Sequence, residues 1–465
     1  MNEGTFILFG ATGDLAKRRI IPALYALMRD KKMGNFSIVG AALEDVLAEE
    51  VLQASKQYVD HCDATSWAAF ESCFYYQKVN VSSVADFHTL AHLINELEQK
   101  YKSMGNRLVY LALPPQLFAS VTTNLARATI INKMIYSSDK PWYRVIYEKP
   151  FGLDFISAAA INKSISEYLA EFQIFRVDHY LAKDIVGTLA LLRFTNRILE
   201  PLWNKENIDW VEVVLNETAG VGGRGPFYDT CGAIKDVVQN HMLQIVALLA
   251  MEAPQSLSGD YVRDEKALVL QKIEFIDGIL AQYKGYKQEK GVKPDSTTET
   301  FAALKLMINT PRWQGVPFYL RTGKSLNKKE TIINIQFKHV KCLLSTSCPS
   351  DSNYLTIRVM PEPGFCIMLN VKKPGLLLEV MPVPMDFCYE CKFGTVIENV
   401  YELVLQEVIS GEQAISVRFD EIEYAWDVID QLKKLQLPLF EYEQGTQGPE
   451  ELKDFAQKNV MRWRL

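Results

Sequence analysis

Long apolar runs are missing from this chain. The longest, 242–251, falls far short of the roughly 20 residues a membrane-crossing helix needs, and the segment before Phe6 is acidic and polar. Neither a bilayer span nor a secretory leader is expected. Cysteine is scarce, with eight in 465 residues, at 62, 73, 231, 342, 348, 366, 388 and 391. That excludes a disulfide scaffold and fits a reducing compartment, the cytoplasm. Cys388-Tyr389-Glu390-Cys391 is a lone Cys-x-x-Cys without a second pair at zinc spacing, so neither metal binding nor redox activity is expected. His88 and His92 share a helix face, but no glutamate precedes the second histidine, and a solvated face is the better reading. An excess of positive charge is also lacking. The net charge of -6 and sequence pI of about 5.7 give no reason to expect nucleic acid or an anionic membrane as partner. Local cations must attract any anionic substrate. Internal repeats and low-complexity tracts are absent.

What is present is enough apolar material for two cores, 48% of the residues. Residues 1–177 alternate strand and helix, with strands near 5–9, 36–40, 74–79, 107–113, 143–147 and 172–176 and a helix over 84–104 among those between them. This predicts an α/β, Rossmann-like, doubly wound domain with a parallel sheet. After a helix at 182–193, residues 178–465 carry alternating strands at 210–216, 331–338, 354–360 and 364–371, and helices at 232–251, 263–273 and 397–408. They predict an α+β domain on a large, mostly antiparallel sheet, with 284–298 as an open loop.

Three places carry potential chemistry. The segment Phe9-Gly10-Ala11-Thr12-Gly13-Asp14-Leu15 follows the first strand and opens a helix, the order of a phosphate-binding turn, although Gly-x-x-Gly is shorter than the full dinucleotide pattern. Pro22 lies too deep for a first-turn proline, so the helix should kink near Arg18 or restart there. Arg176-Val177-Asp178-His179-Tyr180-Leu181-Ala182-Lys183 packs acid-base groups into an apolar setting. It reads either as a structural ion-pair cluster at a helix start or as a site in which Asp178 orients an imidazole while His179 and Lys183 face an anion. His241 lies on the predicted helix, five residues after Asp236; it is either a satisfied buried histidine or a base near neutral pH. Thr322-Gly323-Lys324-Ser325 ends like a P-loop, but Phe318 stands where that motif needs glycine, which excludes a kinase. Lys324 and Lys329 alone would read as a basic solvated turn.

Together with Asn106-Arg107-Leu108-Val109-Tyr110-Leu111-Ala112-Leu113-Pro114-Pro115, Tyr147-Glu148-Lys149-Pro150-Phe151-Gly152, Asp236-Val237-Val238-Gln239-Asn240-His241, Leu320-Arg321-Thr322-Gly323-Lys324, Glu423-Tyr424-Ala425-Trp426 and Tyr442-Glu443-Gln444-Gly445-Thr446, these segments resemble glucose-6-phosphate dehydrogenase collinearly over nearly the whole chain. The resemblance implies oxidation of C1 of glucose 6-phosphate with NADP or NAD. In it His241 is the base and Asp178 its orienting carboxylate. His179, Tyr180, Lys183 and Lys329 take the phosphate; Glu217, Asp236 and Lys324 take the sugar hydroxyls. Lys149 lies between sugar and cofactor, before a cis proline. Gly10, Ala11, Thr12, Gly13, Asp14, Leu15, Glu44 and Pro114 take the cofactor. The resemblance further implies a homodimer through the C-terminal sheet, or a tetramer.

Departures from the family pattern bear on specificity. Leu43 stands where members preferring the 2'-phosphorylated cofactor carry arginine, and Glu44 and Asp45 beside it would repel a phosphate, so NAD should serve at least as well as NADP. Arg18 or Arg19 is the alternative phosphate holder. Ala182, Phe118 and Met360 each remove polarity or add bulk, leaving room for another hexose phosphate or for a regulatory relative without turnover. The end at Leu465 argues against the second cofactor site of longer members.

Overall fold

The computed structural model of the protein describes residues 3–178, 180–181, 184–340, 352–375, 379–394 and 399–464, with the backbone alone at 184 and 185. The chain divides into two compact units. One comprises Met1–Ala182, Ser256–Arg263 and Ile397–Glu423, the other Lys183–Gln255, Asp264–Val396 and Tyr424–Leu465.

The first unit is built on six strands: β1 (Gly4–Phe9), β2 (Phe36–Ala42), β3 (Phe74–Lys78), β4 (Arg107–Leu111), β5 (Tyr143–Glu148) and β6 (Ile174–Val177). They pair in the order β3-β2-β1-β4-β5-β6, every pair parallel. β1, β2 and β4 are buried along their whole length, as a parallel sheet covered on both faces requires. Alternate residues feed separate cores. Phe6 and Leu8 pack with residues of the helices Ile21–Arg29, Ala64–Cys73 and Val400–Ser410, while Ile7 and Phe9 pack with those of Val84–Tyr101 and Phe118–Arg127. The order reverses direction between β1 and β4, the crevice where doubly wound sheets take ligands.

The second unit carries a nine-stranded sheet of β7 (Ile208–Asn216), β8 (Ile273–Tyr283), β9 (Phe301–Ile308), β10 (Pro317–Gly323), β11 (Glu330–Phe337), β12 (Tyr354–Met360), β13 (Gly364–Lys372), β14 (Val380–Cys388) and β15 (Leu439–Tyr442). The order is β14-β13-β12-β11-β7-β10-β9-β8-β15, and only the β7–β10 and β8–β15 pairs are parallel. This is the expected antiparallel-dominated sheet.

Two local expectations change. The predicted helix over 232–251 starts just past Gly232, whose φ of 64° and ψ of -178° are not helical, but it winds first as a π-helix, Ile234–Met242, before the α-helix Leu243–Ala250. The cysteine reading is amended at one place: Cys388 and Cys391 form a disulfide, because the turn opening the short helix Tyr389–Phe393 brings their Cα atoms to 5.3 Å, within bridging range. Among the described residues Cys62, Cys73, Cys231 and Cys366 are free. No helix among the described residues is long and apolar enough to cross a membrane.

Candidate functional site

In the first unit the turn after β1 is shaped by Gly10 at φ 76°, where a Cβ would stand 2.3 Å from the Ala112 carbonyl oxygen. Its N–H donates to Ala41 O at 2.8 Å, and Gly13 N–H donates back to Gly10 O at 2.9 Å. The chain then enters a helix that winds as a π-helix over Ala16–Ile20 and continues without a break as the α-helix Ile21–Arg29, which contains Pro22. Ile20 and Ile21 keep helical φ and ψ, so the helix does not restart, and the change of winding just before Pro22 is where the proline's missing N–H is accommodated. Gly10 to Leu15 thus line one turn at the sheet's carboxyl end, and Ala112 N–H donates to Phe9 O at 3.1 Å, bringing the β4 exit with Pro114 alongside. This glycine turn at a helix entrance suits a dinucleotide pyrophosphate.

Past the tip of β2, Leu43 is 63% exposed, and Glu44 Oε2 accepts from Thr12 Oγ1 at 2.7 Å. That hydrogen bond holds the Glu44 carboxyl below its ordinary pKa, so the group is an anion. Arg18 is committed to Asp14 at 2.5 Å.

At the end of β5 the peptide bond Lys149-Pro150 is cis, as the resemblance implies. Glu148 beside it accepts from the buried Tyr110 hydroxyl, and burial pushes its carboxyl pKa up. Asp178, just past β6, is 3% exposed, and its Oδ1 accepts Tyr180 N–H at 2.9 Å. His179, Ala182 and Lys183 lie outside the described residues. Phe118, read as a loss of polarity, is wholly buried against Tyr147, with ring centroids 5.2 Å apart.

In the second unit three predicted residues meet. β10 runs parallel to β7 with Gly323 opposite Asn216, so Lys324 and Glu217 leave adjacent strand ends side by side. Lys324 Nζ donates to Glu217 Oε2 and stands 3.8 Å from Asp236 Oδ2. Lys324 is only 6% exposed and its ammonium lies 5.0 Å from the centre of the Tyr228 ring. A cation buried between two carboxylates makes a preorganised set of donors and acceptors for hydroxyl groups. His241 follows on the π-helix, 2% exposed, its backbone N–H donating to Asn240 Oδ1 at 2.7 Å. Bonding from residue i to i+5 sets Asp236 and His241 more nearly on one face than α-helical winding would. Lys329 is exposed ahead of β11 and forms no ion pair among the described residues.

Sequence reasoning missed Arg224 and Tyr228. Arg224 Nη2 holds Asp236 Oδ1 at 3.0 Å, and its setting in Gly222-Gly223-Arg224-Gly225 was the available signal. The Tyr228 hydroxyl is buried without a hydrogen-bond partner among the described residues, and burial, with Asp236 next, raises its pKa well above the ordinary range. Nothing in its local sequence distinguishes it.

The model of the glucose-6-phosphate dehydrogenase NAD binding domain matches residues 7–187, and that of the glucose-6-phosphate dehydrogenase C-terminal domain matches residues 190–464. The glucose-6-phosphate 1-dehydrogenase of Chlamydia pneumoniae is 37% identical, covering 98% of this chain and 95% of its own length. That of Bacillus subtilis is 34% identical, covering 99% and 98%. A solved glucose-6-phosphate dehydrogenase in complex with its substrate glucose 6-phosphate matches with a TM-score of 0.92 at 34% identity, over 100% of this chain and 99% of that one. A levoglucosan dehydrogenase, at TM-score 0.54 and 11% identity, shares the fold alone. With both family models matched in order along one chain, and relatives this similar over nearly full length, the chain belongs to the glucose-6-phosphate dehydrogenase family.

Proposed function

We propose that His241 is the general base in this enzyme's reaction, the oxidation of C1 of glucose 6-phosphate to the 6-phosphoglucono-lactone, first step of the oxidative pentose phosphate pathway. The base takes the C1 hydroxyl proton. A nicotinamide cofactor, when bound, accepts the hydride that leaves C1. Asp178 orients the His241 ring and stabilises its imidazolium form, as a carboxylate does when it fixes a tautomer. Glu217, Asp236 and Lys324 hydrogen-bond the sugar hydroxyls, and Lys149 serves both sugar and cofactor. His179, Tyr180, Lys183 and Lys329 supply donors and charge to the phosphate.

The observation that carries this reading is the cluster in which the buried Lys324 ammonium joins Glu217 to Asp236, the last lying on the helix that also bears His241. Residues 1–177 take the cofactor at the glycine turn, with Pro114 and Glu44 beside it. Residues 178–465 take the sugar. The exposed Leu43 and the anionic Glu44 support NAD as a cofactor at least as good as NADP. A homodimer through the second sheet is supported by Leu369, Val371, Met381 and Met385, which stand exposed on one face of β13 and β14. The enzyme works in the cytoplasm.

The test is a steady-state assay of the purified protein crossing glucose 6-phosphate and galactose 6-phosphate with NAD and NADP, read as reduced-nicotinamide absorbance. Turnover should be fastest with glucose 6-phosphate. Faster turnover of the galactose ester would make it a dehydrogenase of another hexose phosphate, and cofactor binding without reduction would make it a regulatory relative.

A further inference from the structure

We propose that Glu299 is a positioning residue, holding the start of the helix that carries Asp236 and His241 through the reach of its side chain. This rests on the reading that those two residues serve the sugar. The break at Gly232 leaves the first N–H groups of the following helix in need of acceptors. Glu299 supplies two of them: its backbone carbonyl accepts Ala233 N–H at 3.0 Å, and its Oε1 accepts Ile234 N–H at 3.0 Å. The fit around the break is close, because a Cβ on Gly232 would stand 2.2 Å from Glu299 Oε1.

The neighbouring residue extends the restraint to the other side of the cluster. Thr300 O accepts Lys324 N–H at 3.0 Å. Consecutive residues, Glu299 and Thr300, therefore hold the helix start leading to Asp236 on one side and Lys324, the partner of Asp236, on the other. Packing does not duplicate this restraint. Glu299 lines a cavity of about 360 Å³ together with Thr230, Cys231, Lys235, Leu280 and Lys433, so hydrogen bonds fix the helix start where side chains leave space. Burial pushes the Glu299 carboxyl up to about 7, which makes a neutral amide a fair stand-in for it.

The experiment separates reach from charge. Glu299→Gln keeps an acceptor at full length without the charge; Glu299→Asp keeps the charge but is one methylene too short; Glu299→Ala has neither. Losing an N-terminal helix cap costs roughly threefold to thirtyfold in an equilibrium. Glu299→Asp and Glu299→Ala should therefore lower kcat/KM for glucose 6-phosphate by about that factor without changing the KM of the cofactor, and Glu299→Gln should stay within about twofold of the parent. If Glu299→Ala does not fold, the Gln and Asp pair decides alone. Equal effects of Gln and Asp, the reverse ranking, or an undisturbed Asp variant would overturn the proposal. His241→Asn is measured alongside: if it retains turnover, the underlying catalytic reading fails, whereas an inactive His241→Asn beside an undisturbed Glu299→Asp removes only the present inference.

Discussion

Thr12 Oγ1 donates to Glu44 Oε2 at 2.7 Å, a bond that ties the glycine turn after β1 to the loop after β2. The bond keeps a carboxylate anionic beside the region where the adenosine ribose of a dinucleotide lies in folds of this kind. A ribose hydroxyl can donate to such a group, whereas a 2'-phosphate would be repelled by it and would find no partner in Leu43. Arg18, the alternative cation, is bonded to Asp14 at 2.5 Å and stands over the Tyr58 ring.

The first prediction is cofactor choice. Loss of an ion pair with added repulsion is worth ~2 kcal/mol, about thirtyfold in kcat/KM, so NAD should be used at least as well as NADP. Leu43→Arg with Glu44→Gln should shift the preference toward NADP. A strong NADP preference in the parent protein would instead identify Arg18, Arg19 or Thr12 as the phosphate holder.

The second concerns the base. His241→Asn should lower kcat by roughly 10² to 10⁴ and leave sugar binding nearly intact, and Asp178→Asn should be similarly damaging. Single-turnover kinetics with equilibrium binding of glucose 6-phosphate check both parts. Retention of more than about a tenth of kcat by His241→Asn would remove its assignment.

Much of the architecture was legible because period is a local property. The apolar runs of β1 and β4 announced a sheet buried on both faces, and the misplaced Pro22 announced an irregularity in its helix, met by a π segment and not by the expected restart. How the helix is held at its start past Gly232 was not legible, because a glycine at the head of a helical pattern does not reveal that Glu299, far along the chain, will accept the exposed N–H groups. Arg224 escaped for the same reason: its carboxylate partner is fixed by the fold and not by spacing. The disulfide within Cys388-x-x-Cys391 depends on the turn that brings the two sulfurs together.

The third prediction addresses the phosphate. His179→Ala or Lys183→Ala removes a charge-assisted hydrogen bond, on the order of 1.5 to 3 kcal/mol, so KM for glucose 6-phosphate should rise roughly ten- to a hundredfold. Free glucose is the control. An equal loss with free glucose would show that these residues do not read the phosphate.

The fourth is a pH dependence of stability. Burial pushes the Glu407 carboxyl from its ordinary value of 4.5 up to about 7, while its Oε1 accepts Ile415 N–H at 2.9 Å. The folded state then holds this proton more tightly than the unfolded chain does. Its contribution is fully present below about 4.5 and is lost as pH rises through about 7. Tm should fall between these limits, and less steeply in Glu407→Gln, whose amide oxygen can still accept Ile415 N–H. Parallel Tm curves for the two proteins would contradict this.

The fifth prediction separates binding from folding at Lys324. Lys324 is 6% exposed, and its ammonium donates to Glu217 and lies 3.8 Å from Asp236, whose other oxygen is held by Arg224. Lys324→Met leaves Asp236 buried with less compensation, a change of the kind that costs roughly 3 to 5 kcal/mol when a buried pair loses one partner. Both Tm and the affinity for glucose 6-phosphate should therefore fall. Adding Asp236→Asn removes the stranded charge, so the double variant should regain much of the Tm without regaining the affinity. Thermal unfolding and equilibrium sugar-phosphate binding on the parent, Lys324→Met and the double variant decide the matter. If affinity returns with Tm, the cluster acts only as a structural ion pair; if Tm recovers while binding stays weak, the Lys324 and Asp236 pair contacts the sugar.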